Sequence, residues 1–119
     1  MYVGGFRLPD GNAAGSRVLN NAKILRDMGY NVVFIDVSNN ASRDILYNFK
    51  KIDGFDCYSQ KYPHGSEWFR YLVSILNVKK IFERYKNIRG IIVYNYQSVA
   101  FWKLKIFCKK THINLYADC

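Results

Sequence analysis

Asn31-Val32-Val33-Phe34-Ile35-Asp36-Val37 is a nearly unbroken run of β-branched and aromatic residues that ends in the polar triplet Ser38-Asn39-Asn40. A strand exposed on one face alternates apolar with polar residues, so a run without alternation fits a strand covered on both faces, as inside a parallel sheet. Its neighbours fit that setting. On the N-terminal side, Val18, Ala22, Leu25 and Met28 recur at helical spacing over Asn12–Met28, with Gly29 where a left-handed C-cap is wanted. Before that helix, Met1–Gly5 reads as a short strand entering the glycine-rich turn 4–15.

Beyond the central run, residues 41 to 53 are ambiguous, with a short helix expected around Arg43 to Phe49 and a weak third strand over Asp53–Tyr58. After Pro63-His64-Gly65, Ser66 is the expected N-cap and Glu67 a favourable first-turn charge of one long helix reaching Tyr85. Phe69, Leu72, Val73, Leu76 and Phe82 mark its expected buried side. Gly90–Asn95 is a strong strand, Ser98–Lys110 a helix, and Ile113–Tyr116 a last strand before Ala117-Asp118-Cys119.

This alternation of strand and helix predicts an α/β domain over residues 1–119. The expected architecture is a Rossmann-like three-layer sandwich whose parallel sheet has about five strands in the order 3-2-1-4-5. The switch point of such a sheet lies between the first and fourth strands, and a ligand is expected over their carboxyl ends. Gly4, Gly5, Tyr94, Asn95 and Gln97 are on that rim, and Asp118 follows the neighbouring fifth strand.

Of the 119 residues half are hydrophobic and 17% aromatic, enough apolar surface to offset the entropy of ordering. No apolar run approaches the roughly 20 residues of a bilayer span, and the opening residues lack the pattern of a secretory leader. Cys57, Cys108 and Cys119 are odd in number and form no CxxC pair, so neither a disulfide framework nor a structural metal is expected. A cytoplasmic setting is the default. Eighteen Lys and Arg against nine Asp and Glu leave a net charge of +9, which admits nucleic acid, anionic lipid headgroups or phosphorylated ligands.

The loop from Gly4 to Gly15 is the most informative segment for chemistry. Its glycines allow close backbone approach, and the amides of the following helix offer partial positive charge to a phosphate. Neither GxGxxG nor a P-loop occurs, so NAD binding and ATP hydrolysis are not supported, and a turn serving tight strand-to-helix packing is the competing reading. Arg17, in the first turns of that helix, has the planar fork suited to phosphate or carboxylate, or else is a solvated helix residue. Asp118 is placed either as a site residue or as the cap of a following helix. His64 is a candidate at the cleft rim, with an ordinary loop residue as the alternative, while His112 is read as structural. The basic residues group as Lys50-Lys51, Lys79-Lys80, Arg84-Lys86-Arg89 and Lys103-Lys105-Lys109-Lys110, several at helix C-termini where they complement the dipole without any partner. As a surface, basic helices with aromatics such as Phe101 and Trp102 suit anionic lipid better than nucleic acid, for which no recognition motif is present.

Tyr2-Val3-Gly4-Gly5-Phe6, Asp10-Gly11-Asn12-Ala13-Ala14, Arg17-Val18, Asn21-Ala22-Lys23 and Gly29-Tyr30-Asn31-Val32 together resemble the beginning of glycosyltransferases of the family 4 type. The resemblance implies one half of a GT-B fold, the acceptor-side domain. Gly4, Gly5, Gly11, Asn12, Ala13, Gly15 and Arg17 would then face the diphosphate of a nucleotide-sugar donor, with Asp118 as the catalytic candidate. It also implies transfer to a glycan or lipid-linked acceptor, no metal or other cofactor, and a place at the inner face of a membrane. The chain departs from that pattern in having no room for a second, donor-binding domain, so the expectation is a partial enzyme without turnover by itself. The alternative is a non-catalytic Rossmann-like module that binds a phosphorylated ligand or a partner protein, with self-association through an open sheet edge.

Overall fold

The computed structural model describes residues 1–8, 13–94 and 96–118, apart from the side chain of Leu72. The chain order is β1 (Tyr2–Gly4), α1 (Ala13–Asp27), β2 (Val33–Ser38), a single 3-10 turn (Ile45–Tyr47), β3 (Phe49–Ile52), β4 (Phe55–Lys61), α2 (Glu67–Val73), α3 (Leu76–Arg84), β5 (Gly90–Tyr94), α4 (Ser98–Thr111) and β6 (Asn114–Asp118). One six-stranded sheet runs β3-β4-β2-β1-β5-β6, and every pairing is parallel except β3 with β4. The expected sheet of about five parallel strands in the order 3-2-1-4-5 is therefore corrected to six mixed strands. The difference is the added antiparallel edge strand β3.

The 3-10 turn stands in place of the helix expected from Arg43 to Phe49, and the edge strand β3 follows it from Phe49. Asp44 caps the 3-10 turn by accepting from the amide of Leu46, and Asn48 ties the segment down through Ser42 and the carbonyl of Ser59. The chain then reverses between Ile52 and Phe55 through Asp53 and Gly54, both with positive φ, and returns as β4. Two consecutive left-handed residues make a tight hairpin whose twist matches its strands.

Two apolar layers flank the sheet. On one face Tyr2, Phe34, Phe55 and Cys57 pack with Phe6 and Leu8 under Val18, Leu19 and Ala22 of α1. On the other, Val3, Val33, Ile35, Ile91 and Val93 meet Val78 and Ile81 of α3 and Ala100, Leu104 and Cys108 of α4. Successive residues of β1 and β2 feed opposite layers, which explains why β2 reads as continuously apolar. Its one buried charge, Asp36, accepts the amide of Leu8 at 3.0 Å and the hydroxyl of Ser59 at 2.5 Å, with Lys50 Nζ at 3.5 Å. Those three partners join β1's exit to β2, β3 and β4.

The single helix expected from Ser66 to Tyr85 is two helices. Ser74 is extended, its amide closes α2 on the carbonyl of Arg70, and its hydroxyl accepts the amide of Leu76 to open α3. Ile75 drops into the core at the break, whereas Phe69 and Leu76, expected to be buried, are exposed. Ser66 makes no side-chain cap; instead Glu67 accepts the amide of His64. Cys57 and Cys108 are buried free thiols, and Cys119 lies outside the described residues.

Candidate functional site

The carboxyl ends of β1, β5 and β6 line up in register, Gly4 beside Tyr94 and Tyr94 beside Asp118. The β1 and β5 backbones are pressed together here. A Cβ on Gly4 would stand 1.9 Å from the carbonyl oxygen of Tyr94, and the amide of Gly5 donates to that same oxygen at 3.2 Å. After Gly5 the chain stays on the sheet: the carbonyl of Phe6 accepts from Val37, and Leu8 donates to Asp36. The amides of Gly5 and Leu8 are thus committed within the fold. The first turn of α1, from Ala13, begins at the same end of the sheet.

Arg17 and Asn21 of α1 reach the same rim. Arg17 donates to Asp118 Oδ1 at 2.7 Å, and its guanidinium lies 5.6 Å from the centre of the Tyr94 ring. The second carboxylate oxygen of Asp118 accepts the hydroxyl of Tyr2, and Asn21 donates to both the Tyr2 oxygen and Asp118, each at 3.3 Å. Burial pushes the Tyr2 phenol up to about 12, a shift that the Asp118 carboxylate reinforces and the Asn21 hydrogen bond opposes. The guanidinium is half exposed while Asp118 is mostly covered. A planar cation is thereby held at the surface by a carboxylate beneath it.

On the opposite side of the rim stands a cluster of rings. Tyr62, at the end of β4, meets Trp68 edge-on at 5.4 Å, and Trp68 meets Tyr71 at 5.8 Å. His64 lies 6.2 Å from the Tyr62 ring, and Arg7, from the exit of β1, lies over that ring at 5.7 Å. Burial raises the Tyr71 hydroxyl above the ordinary tyrosine value, opposed by a hydrogen bond with Gln97, which also begins α4. Tyr96 is raised by burial as well, with Tyr71 adding to the shift.

Among the sequence candidates, Gly4, Arg17, Tyr94 and Asp118 come together, with Gly5 adjacent and Ala13 and Gly15 in the first turn of α1. His64 and Gln97 belong to the aromatic side. Gly11, Asn12 and Asn95 lie outside the described residues. Sequence reasoning missed Tyr2, Asn21, Arg7 and the Tyr62–Trp68–Tyr71 cluster. Aromatic density after the third parallel strand was the available signal for the cluster, whereas Tyr2 sits mid-strand and reads as core. Among the described residues no group of three or more His, Cys, Asp or Glu is placed to hold a metal, and no helix is long and apolar enough to cross a membrane. No known protein family, curated protein or solved structure matches the chain.

Proposed function

We propose that this chain is a Rossmann-like acceptor-side portion of a GT-B glycosyltransferase, contributing to transfer of a sugar from a nucleotide-sugar donor to a glycan or lipid-linked acceptor. The observation that carries this reading is the convergence of Gly4, Tyr94 and Asp118 under the Arg17 guanidinium, at the carboxyl ends of adjacent strands with helices leaving to opposite faces. Departure of a nucleoside diphosphate develops negative charge, and fixed donors such as Arg17 and the α1 amides stabilise it without a metal. The rings of Tyr62, Trp68 and Tyr71 supply apolar faces across the rim for a sugar or a base.

Asp118 acts in this reading as a positioning residue, because its carboxylate is already held by Tyr2, Asn21 and Arg17. That same commitment favours the second reading, a non-catalytic module for a phosphorylated ligand or a partner protein. Calorimetric titration with nucleoside diphosphates, nucleotide sugars and inorganic pyrophosphate separates the two. The transferase reading expects nucleotide sugars to bind more tightly than pyrophosphate, and Arg17→Ala to weaken them about tenfold or more, with Arg17→Lys between. Equal affinity of wild type and Arg17→Ala contradicts it, and tighter binding of pyrophosphate supports the module instead.

A further inference from the structure

Helix α4 has a second face that the fold does not use. Ala100, Leu104 and Cys108 point into the core, and the opposite side exposes Val99, Trp102 and Ile106, one and two turns apart. Lys103 and Lys110 flank this stripe on one side, Lys105 and Lys109 on the other, and α4 contains no acidic residue. All four lysines are exposed, and none has an acidic partner among the described residues. By contrast, Lys23, Lys50, Lys51 and Lys80 each face a carboxylate within 4 Å.

Between α4 and the start of α3 lies a groove of about 500 Å³. Ile75 and Phe107 are among its apolar lining residues, and Lys79, Lys103 and Lys110 line it as well. Lys79 Nζ is 5.6 Å from the centre of the Phe107 ring. Leu76, on the α3 side of the groove, is 62% exposed, as is Trp102 on α4. This is an open basic depression bordered by apolar side chains that point outward.

We propose that the α3–α4 face docks on an anionic lipid bilayer, with a headgroup phosphate seated among Lys79, Lys103 and Lys110, and with Trp102, Ile106 and Leu76 entering the interfacial layer. Charge complementarity selects the partner: unpaired lysines flank an exposed Trp-containing apolar stripe, the combination that holds a helix in the plane of a headgroup region. The rings stay at headgroup depth while the lysine stems lie along the apolar surface and keep their charges in water. Each lysine near a negatively charged leaflet contributes about 1 kcal/mol. Nucleic acid lacks the apolar layer that would cover Leu76, Trp102 and Ile106, so it uses only half of what this face presents. The inference does not depend on sugar transfer, since vesicle binding is read without a donor or an acceptor.

The test is co-sedimentation of the 119-residue chain with vesicles of phosphatidylcholine alone or with roughly one-third phosphatidylglycerol, near physiological salt. Binding is expected only to the anionic vesicles, with a blue shift of tryptophan emission that Trp102→Phe abolishes. Lys103→Gln/Lys110→Gln is expected to weaken partitioning about 30-fold, from two lost lysine contributions. Lys23→Gln/Lys51→Gln removes the same charge from α1 and the β3 edge and is expected to change it less than about 3-fold. Equal loss in both double variants, equal binding to neutral vesicles, or displacement from anionic vesicles by a short DNA duplex at equal phosphate concentration overturns the proposal.

Discussion

At Gly4 a hydrogen in place of a side chain lets two strands lie side by side. A Cβ there would meet the Tyr94 carbonyl oxygen at 1.9 Å and its carbon at 2.8 Å, and both are backbone atoms that a rotamer change cannot move. Relief would require parting β1 from β5, which breaks the Val3–Val93 and Gly4–Tyr94 register and the bond from Gly5 to Tyr94. Gly4→Ala is expected to cost roughly 3 kcal/mol, the upper end of overpacking effects. In urea unfolding the midpoint should fall with the slope unchanged, and an unmoved midpoint would contradict the close approach. The glycine was legible in the sequence as a site for near backbone approach. That the approaching group is the neighbouring strand is a long-range fact, set by pairing across ninety residues of chain that no local pattern records.

Among the elements, strands buried on both faces were the most legible. The runs that became β2 and β5 carry β-branched and aromatic residues without alternation: in β2 successive residues are buried in two layers, and in β5 Ile91 and Val93 are buried in one layer while Ile92 and Tyr94 are partly buried against the other. Of the β3–β4 hairpin only the second strand was expected, over Asp53–Tyr58, although the turn is written locally: Asp53-Gly54 is the dipeptide that a two-residue hairpin with two positive φ values requires. Phe49-Lys50-Lys51-Ile52 obscured it, because an edge strand has lysines where a central one has apolar residues. Gly54 has φ of 85°, so Gly54→Ala should destabilise the chain by about 1 kcal/mol. Amide exchange should then accelerate first in β3 and the β4 residues paired with it, and uniform acceleration across the sheet would contradict a local hairpin effect. The α2–α3 break was hidden differently, since the apolar period continues through Ser74 while its hydroxyl switches from helix interior to cap of Leu76.

At the scale of the whole molecule, the net charge of +9 divides by location. Among the described residues six of the eighteen Lys and Arg are in ion pairs, one of which holds Arg17 over Asp118 at the strand-end rim, while the lysines of α4 stand apart on the far helical face. The sequence placed Gly4, Tyr94 and Asp118 on one rim by way of an assumed Rossmann-like strand order, and the pairing of β1 with β5 and of β5 with β6 agrees with that part of it. It did not foresee that Tyr2 and Asn21 would hold Asp118 from below, since those contacts depend on how α1 lies across β1. Under the proposed function this rim receives a nucleotide-sugar diphosphate. The most direct measurement is an amide chemical-shift map of the isotope-labelled chain titrated with nucleotide sugars. Gly4, Gly5, Gly15, Arg17, Tyr94 and Asp118 are expected to shift along one saturation curve while Lys79, Lys103 and Lys110 stay still. Saturable shifts confined to the α3–α4 face, or none at the ends of β1, β5 and β6, would contradict it.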